Sequence, residues 1–358
     1  MSTAQKIRVL VVDDSTFMRS LLSRLISNSP QFEVVGTAEN GLLALEKIKL
    51  LQPDVVTLDV EMPELNGLEA LKRIMRECPT PVVMISTLTE AGAKETMEAL
   101  SLGAVDFMPK AIEDASRNIA NQAKIIADKL MAASQARVGQ AKPVVAMPTV
   151  VPAATTGAVA PKQVRTPKPM TRLVVVGSST GGPKALESII PQLPASLRVP
   201  MLVAQHMPAH FTQALAQRLN ALSPLTVVEA KAGDVLQPGH VYIAPGGMHM
   251  TVVDSQGKLM VEIKADAGES YYRPSVDVLA ESALKACQGQ VLGVMLTGMG
   301  QDGAKAFKQL RDKGAYVVAQ DEPTSVVYGM PRAVKEIAGA DEVLPLGEIA
   351  QAIKVVVQ

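Results

Sequence analysis

The sequence of 358 residues is long enough for two or three domains of ordinary size. Lysine plus arginine and aspartate plus glutamate each number 35, and this net charge of zero argues against a nucleic-acid-binding chain, which normally carries a basic face or tail. The two cysteines are too few for a disulfide framework or a four-ligand zinc site. The sequence has no run of about 18 apolar residues that would predict a transmembrane helix, and no cleavage-site pattern follows Met1. We therefore expect a reduced, cytoplasmic protein without membrane insertion.

The first part of the chain alternates short apolar runs with longer amphipathic segments. The runs rich in Val and Ile cover residues 7–12, 34–38, 55–58, 82–85 and 105–108, and helical patterns cover residues 16–28, 40–50, 66–77, 90–101 and about 113–133. Strands separated by helices predict a parallel sheet with right-handed crossovers. We therefore predict a doubly wound α/β domain over residues 1–132, with its chemistry at the carboxyl ends of the strands.

A stretch of different composition follows. Residues 138–170 contain six prolines, and no acidic residue occurs between Asp128 and Glu187. Proline favours extended backbone, and unstructured loops beyond about 15 residues are uncommon inside a domain, so a Pro/Ala-rich linker over 133–169 is favoured over a poorly packed loop.

The same alternation resumes after the predicted linker. Apolar runs cover residues 173–176, 200–204, 241–243, 291–296 and 316–319. This pattern predicts a second doubly wound parallel-sheet domain, Rossmann-like, over residues 170–358.

Polar side chains end four of the five strands predicted for the first domain. They are Asp13 and Asp14 after the first strand, Asp59 on the third, Ser86 and Thr87 on the fourth, and Lys110 on the fifth. Any one of these aspartates could be a solvated loop residue or a helix cap. Because the carboxyl ends of parallel strands meet at one edge, three carboxylates would cluster there, and an oxygen cage of this kind suits Mg²⁺.

The motifs around these residues, V-V-D-D-S, L-D-V-E-M-P-E-L-N-G, M-I-S-T and D-F-M-P-K, resemble a response-regulator receiver domain over about residues 5–130. The resemblance implies a flavodoxin-like fold in which Asp59 accepts a phosphoryl group from a chemotaxis histidine kinase. It also implies that Asp13, Asp14, Asp59 and the backbone carbonyl of Glu61 hold Mg²⁺, and that Lys110 adds positive charge.

By the same resemblance Ser86 follows the phosphoryl group as a switch, with Thr87 as the alternative. One departure from the family pattern is visible. The family usually has proline directly after the lysine, whereas here Pro109 precedes Lys110 and Ala111 follows it.

The second domain opens with L-V-V-V-G-S-S-T-G-G-P-K, a strand, a glycine turn and a helix start. A dinucleotide fingerprint fails because residue 179 is serine, and a Walker loop fails because Pro183 precedes Lys184. A G-x-S-x-G pattern does fit and places Ser179 on a sharp strand-to-helix turn, where amides can stabilise an oxyanion. A helix-capping serine is the alternative interpretation.

A nucleophilic serine needs a base, and the chain has four histidines. His206 directly follows a predicted strand and shares the edge of Ser179. His210 could form a zinc pair with His206, but no glutamate lies between them and no third ligand is evident. His240 precedes its strand, and His249 lies beyond a glycine turn and is not excluded. We favour His206.

The third member must hold the imidazole and stabilise its protonated form. Asp302 follows a buried strand within T-G-M-G-Q-D-G, at the same carboxyl edge. Asp277 in R-P-S-V-D is the competitor, and its position at a helix start indicates capping. The strand-end rule favours Asp302.

The resulting order Ser, His, Asp differs from the Ser, Asp, His order of α/β-hydrolases. Together G-S-S-T-G-G, Q-H-M-P, Y-I-A-P-G, R-P-S-V-D and T-G-M-G-x-D-G resemble the catalytic domain of chemotaxis protein-glutamate methylesterases, over about residues 170–356. The resemblance implies demethylation of glutamate methyl esters and deamidation of glutamines on chemoreceptors by Ser179, His206 and Asp302, without a cofactor at this site. Thr180 and Met299 are implied near the oxyanion or substrate.

A receiver fused to an esterase also predicts regulation: the unphosphorylated receiver covers the esterase edge, and phosphorylation of Asp59 loosens that contact.

Two other classes of function are possible. A DNA-binding output is disfavoured by the size of the second domain and its lack of a basic recognition helix, and a non-catalytic scaffold is disfavoured by the intact Ser, His and Asp.

Overall fold

The computed structural model describes residues 5–110, 115–136, 138, 171–266 and 272–357, with the backbone alone for 115–122. Nearly all of the predicted linker therefore lies outside the described residues. The last helix of the first domain continues to Ser134, two residues beyond the predicted end of that domain. Within the described ranges, none of the helices combines the length and the apolar character that a membrane span requires.

The first domain alternates five strands with five helices. They are β1 (Ile7–Val12), α1 (Thr16–Ser27), β2 (Phe32–Ala38), α2 (Gly41–Leu51), β3 (Val55–Asp59), α3 (Gly67–Glu77), β4 (Val82–Ser86), α4 (Glu90–Leu102), β5 (Asp106–Pro109) and α5 (Ala115–Ser134). The strands form one parallel sheet in the order β2-β1-β3-β4-β5. Since the order reverses beside β1, the crevice at its carboxyl end is the place where such sheets bind ligands.

Local sequence explains where these helices begin. The residue before each of α1 to α4 accepts a hydrogen bond from an amide of the first turn through its side chain, which satisfies a donor that the helix leaves free. These capping residues are Ser15, Asn40, Asn66 and Thr89.

The second domain is larger. Its elements are β6 (Leu173–Ser178), α6 (Gly182–Ile189), β7 (Met201–Gln205), α7 (Phe211–Leu222), β8 (Thr226–Glu229), β9 (His240–Ile243), β10 (His249–Ser255), β11 (Lys258–Lys264), α8 (Val276–Cys287), β12 (Val291–Met295), α9 (Ala304–Asp312), β13 (Tyr316–Gln320), α10 (Met330–Ala333), β14 (Glu342–Leu344) and α11 (Leu346–Val357). Seven strands form a parallel sheet in the order β14-β13-β12-β6-β7-β9-β8, and β10 with β11 forms an antiparallel hairpin.

The predicted fold class, two doubly wound parallel-sheet domains, is confirmed, but four strands were not predicted. β8 and β14 lie at the two edges of the large sheet, are short and lack a continuous buried run. The hairpin is joined by Gln256 and Gly257, both at positive φ, which is the two-residue turn that suits the twist of a hairpin.

The two domains pack against each other through the α4 and β5 side of the first domain. Helix α4 contacts α7 and α6, and the rings of Phe107 and Phe211 lie 4.3 Å apart between centroids. Ser101 of α4 donates a hydrogen bond to Glu187 of α6, which also pairs with Arg218 of α7. Apolar packing and polar contacts therefore join the domains directly.

Candidate active site and candidate metal centre

Three carboxylates meet at the carboxyl edge of the first sheet. Asp13, Asp14 and Asp59 each place one oxygen within 4.8 Å of the others. Asp13 and Asp59 are buried and Asp14 is exposed. The ammonium of Lys110 lies 2.6 Å from Asp59 Oδ2 and 3.7 Å from Asp13 Oδ2. The structure thus brings together the strand-end residues that the sequence analysis selected.

The electrostatics of this pocket suit a hard cation. Burial raises the pKa of Asp59 to about 6, against the opposing hydrogen bond from Lys110. Burial also raises the pKa of Asp13, against the attraction of Lys110. In the described part of the chain, Asp13 Oδ2 is buried without a hydrogen-bond partner. A divalent cation would satisfy that oxygen and neutralise the repulsion, so the donor set fits Mg²⁺.

Around the pocket, the amide of Glu61 donates to the Asp59 carboxylate. The Ser86 hydroxyl is buried and donates to the Gly92 carbonyl at 3.0 Å, whereas the Thr87 hydroxyl lies 3.2 Å from that of Thr89. Both candidate switch hydroxyls therefore face the start of α4.

Lys110 holds its position despite the unusual placement of Pro109. Its amide donates to the Ser86 carbonyl at 2.6 Å, which extends the pairing of β4 and β5 by one residue. Ala111, the other part of the departure from the family pattern, lies outside the described residues.

In the second domain, Ser179 directly follows β6, where the strand order reverses between β12 and β7. The Ser179 amide donates to the Thr297 carbonyl at 3.0 Å. A Cβ added at Gly298 would lie 2.8 Å from Ser179 Cβ, so only glycine allows the β12–α9 turn to lie this close to the serine. The left-handed residue of the turn is Gly181, at φ +77°, whereas Ser179 has a negative φ.

His206 stands beside Ser179 because of the sheet. Ser178 of β6 pairs with Gln205 of β7, and the His206 amide donates to the Ser178 carbonyl at 3.0 Å. The side chain of Gln205 strengthens the turn, because its amide nitrogen donates to the Ser179 carbonyl at 2.9 Å and its oxygen accepts from Ser178 Oγ at 2.6 Å. The residues after two adjacent strands thus lie side by side.

Asp302 completes the group. Its Oδ2 lies 2.8 Å from His206 Nε2 and accepts a hydrogen bond from the Val276 amide at 2.6 Å. Its Oδ1 accepts hydrogen bonds from the Ser275 hydroxyl at 2.8 Å and from the Asp277 amide at 3.2 Å. Burial alone would raise the pKa of Asp302, but the hydrogen bonds and the attraction of His206 outweigh it and hold this pKa below its usual value. The carboxylate is therefore charged and fixed at the start of α8.

The orientation of the imidazole follows from this bond. Nε2 is engaged by Asp302, while Nδ1 is buried and has no hydrogen-bond partner among the described residues. Nδ1 is consequently the ring nitrogen left without a partner among the described residues, whereas in chymotrypsin-like triads the aspartate binds Nδ1 and leaves Nε2 for the serine.

The competing residues lie elsewhere. The Asp277 carboxylate accepts the amides of Ala306 and Gly303 and does not contact His206. His206 directly follows β7 and His210 is the residue before α7, so the two do not share a helical face. His240 begins β9, and His249 is fully buried with neither ring nitrogen bonded in the described part of the chain.

Three further residues lie at or beside the site. The sequence analysis did not select Tyr272, whose ring stacks on the His206 imidazole at 4.1 Å with an interplanar angle of 5°. Its only signal was its place beside R-P-S-V-D in a chain with five tyrosines. The Thr180 hydroxyl donates to Asp106 Oδ2 of the first domain at 2.5 Å, which leaves its amide for any role toward an oxyanion. Met299 is half-buried beside Gly298.

Comparison with known proteins agrees with this architecture. The CheB methylesterase family model matches residues 174–353, and the response regulator receiver domain model matches residues 9–120. The chain is 44% identical to protein-glutamate methylesterase/protein-glutamine glutaminase 1 of Oleidesulfovibrio alaskensis, over 97% of this chain and 98% of that protein. It is 49% identical to protein-glutamate methylesterase/protein-glutamine glutaminase of Symbiobacterium thermophilum, over 97% of this chain and 96% of that protein.

Among solved structures, the Thermotoga maritima CheB methylesterase catalytic domain is similar with a TM-score of 0.50 and 42% identity, covering 51% of this chain and 96% of that one. Family models thus match both domains, and the relatives align over nearly their whole length. The chain belongs to the CheB family, in which a response regulator receiver domain precedes a methylesterase domain.

Proposed function

We propose that this protein hydrolyses glutamate methyl esters on the cytoplasmic helices of chemoreceptors, releasing methanol, and deamidates receptor glutamines, for adaptation in chemotaxis. The observation that carries the proposal is the His206–Asp302 pair, 2.8 Å between Nε2 and Oδ2, beside Ser179 at the strand-order reversal. The names of its relatives, which combine both activities, support the same reaction.

In the proposed mechanism, Ser179 Oγ attacks the side-chain carbonyl carbon while His206 Nδ1 takes the hydroxyl proton. Asp302 stabilises the imidazolium that forms, as a charged carboxylate fixed by three donors besides His206. The carbonyl oxygen becomes an anion that amides of the turn after Ser179 and of the Met299 turn would stabilise. The Ser179 amide is already bonded to Thr297, so these donors come from other residues.

As the tetrahedral intermediate breaks down, His206 gives its proton to the leaving methoxy oxygen, which departs as methanol, or, when the substrate is an amide, to the leaving nitrogen, which departs as ammonia. The acyl-serine is hydrolysed by water, which gives one proton to His206 and its oxygen to the product glutamate. The regenerated Ser179 regains that proton. One set of groups therefore serves both reactions, since only the leaving group differs.

The receiver is proposed to be phosphorylated on Asp59 by a histidine kinase. Asp13, Asp14, Asp59 and the Glu61 carbonyl would hold Mg²⁺, which when bound neutralises charge on the transferring phosphoryl oxygens. Lys110 already lies 2.6 Å from Asp59 Oδ2 and adds positive charge to the same place. Ser86, with Thr87 as the alternative, is the hydroxyl that would follow the phosphoryl group.

We further propose that the unphosphorylated receiver restrains the esterase. Asp106 and Phe107 of β5 contact Thr180 and Phe211, so the receiver touches the residue that follows the nucleophile. Lys110 joins the end of β5 to Asp59, and charge added at Asp59 would therefore be felt along β5. Loosening of this contact would expose the esterase edge to receptor helices.

The test is methanol release from methylated chemoreceptor membranes, with and without a small-molecule phosphodonor and Mg²⁺. Ser179→Ala should lower release by roughly a thousandfold or more, whereas the control Ser188→Ala on α6 should not. Asp59→Ala should remove the response to the phosphodonor. The control Asp54→Ala, at the residue before β3 and thus at the opposite end of the strand that Asp59 ends, should keep the response. Substantial release by Ser179→Ala would refute the nucleophile, and a preserved response in Asp59→Ala would refute the phosphorylation site.

A further inference from the structure

The stacking of Tyr272 on His206 stands out among the contacts of the site. The two rings are almost parallel, 5° apart, with centroids at 4.1 Å. A flat stack this close covers one whole face of the imidazole. Neither the catalytic motifs nor the acyl-transfer steps above account for it.

The imidazole needs such a support because its other restraints are few. One hydrogen bond, from Nε2 to Asp302, fixes a single atom of the ring, and Nδ1 has no partner in the described part of the chain. A ring attached to the chain through Cγ and hydrogen-bonded at Nε2 can still turn about the axis through these two atoms, which would carry Nδ1 away from Ser179. An aromatic ring packed on the face of the imidazole fixes the plane of the imidazole, which the hydrogen bond at Nε2 alone does not.

The chain segment that carries Tyr272 also holds the carboxylate. Ser275 and Val276, a few residues further on, donate to both oxygens of Asp302. Tyr272 also extends toward the turn after β12, because a Cβ placed on Gly300 would lie 3.2 Å from its hydroxyl oxygen. One short segment therefore contacts the base, its carboxylate and the glycine turn that includes Met299.

We infer that Tyr272 is a positioning residue for the esterase reaction, whose ring holds the His206 imidazole in the plane that points Nδ1 at Ser179. The aromatic face also lies against the position where positive charge develops when His206 takes the proton, an arrangement that favours a cation. This inference rests on the proposed esterase function of Ser179 and His206.

The experiment compares Tyr272→Phe and Tyr272→Leu in the full-length protein. Methanol release from methylated receptor membranes gives kcat and KM, and thermal unfolding is measured for each variant. Tyr272→Phe keeps the ring and should keep kcat within about twofold. Tyr272→Leu keeps apolar cover but removes the aromatic face, and should lower kcat by roughly tenfold with KM little changed.

A second pair of variants separates positioning from general damage. In a His206→Ala background the imidazole is gone, so adding Tyr272→Leu should cause no further loss in the residual release. Equal losses with and without His206, or an unchanged kcat in Tyr272→Leu, would overturn the inference.

Ser179→Ala, measured in parallel, tests the function on which the inference rests. If Ser179→Ala abolishes release while Tyr272→Leu matches the wild type, Tyr272 fails and the esterase stands. If Ser179→Ala keeps full release, the proposed function itself fails.

Discussion

The Thr180 hydroxyl donates a hydrogen bond of 2.5 Å to the Asp106 carboxylate, which links the residue after the candidate nucleophile to the last strand of the receiver. Asp106 also accepts from Lys129 at 2.7 Å, so its charge is balanced on the receiver side. Thr180 contributes only a neutral hydroxyl. The bond can therefore break without leaving an unpaired charge in the esterase domain.

Asp106→Ala should raise methanol release by the unphosphorylated protein several-fold. The substitution removes the acceptor of Thr180 and leaves Phe107 to hold that part of the interface alone. Release without phosphodonor is the measurement, and Glu46→Ala, an exposed acidic residue on α2, is the matched control. A basal rate equal to that of the wild type would argue against restraint through this bond.

Mg²⁺ should raise the unfolding temperature of the receiver, and Asp13→Asn should unfold at a higher temperature than the wild type only when the metal is absent. Without metal, two buried carboxylates and exposed Asp14 repel one another, so the variant should unfold at a higher temperature than the wild type. With Mg²⁺ present, the wild type should gain more than the variant because it keeps a charged ligand. Thermal unfolding of both proteins, measured with Mg²⁺ and with a chelator, checks the two expectations. An equal rise in unfolding temperature on adding Mg²⁺ to the two proteins would contradict the proposed metal site.

Gly298→Ala should lower esterase activity by at least tenfold. The added Cβ would lie 2.8 Å from Ser179 Cβ and would push the serine away from His206. Gly347→Ala, whose Cβ meets no atom within 4 Å near the start of α11, is the matched control. We expect the control to retain activity and to gain up to about 1 kcal/mol in the free energy of unfolding, since alanine favours a helix over glycine.

His249 should make the protein less stable in mild acid. Burial lowers the pKa of this histidine, Arg273 lowers it further, and Asp266 and Asp302 oppose the shift. Because the folded-state pKa lies below the unfolded value of 6.5, the stability that neutral His249 permits is complete above about pH 6.5 and is lost progressively as the pH falls below it.

His249→Leu should accordingly flatten the fall in unfolding temperature between about pH 7 and pH 5, where histidines titrate. His240→Asn, at the start of β9 and partly exposed, is the control and should leave the slope as in the wild type. A slope unchanged by His249→Leu would mean that another group governs this range.

The rule that parallel strands present chemistry at their carboxyl ends accounts for most of what could be predicted. It selected Asp13, Asp59 and Lys110 in the first domain, which lie together in the structure. In the second domain it selected Ser179 and His206, which follow two paired strands. What escaped prediction depends on contacts far apart in sequence. Tyr272 meets His206 only through the tertiary fold.

The engaged nitrogen of His206 also could not be predicted, because residue order carries no information about ring orientation. Strands β8 and β14 escaped because edge strands need no continuous apolar run. The hairpin escaped because neither of its strands is buried throughout, unlike the central strands of the sheet. β10 is buried over its first four residues and exposed at its end, and β11 has only two buried residues.

Ser178 and Gln205 are paired across β6 and β7, and the two catalytic candidates, Ser179 and His206, are the residues directly after these strands. Their separation is therefore inherited from the spacing of neighbouring strands, about 4.8 Å, and not from the course of a loop. Redesign or exchange of the surface loops should consequently leave Ser179 and His206 side by side, whereas a slip of one residue between these two strands would separate them.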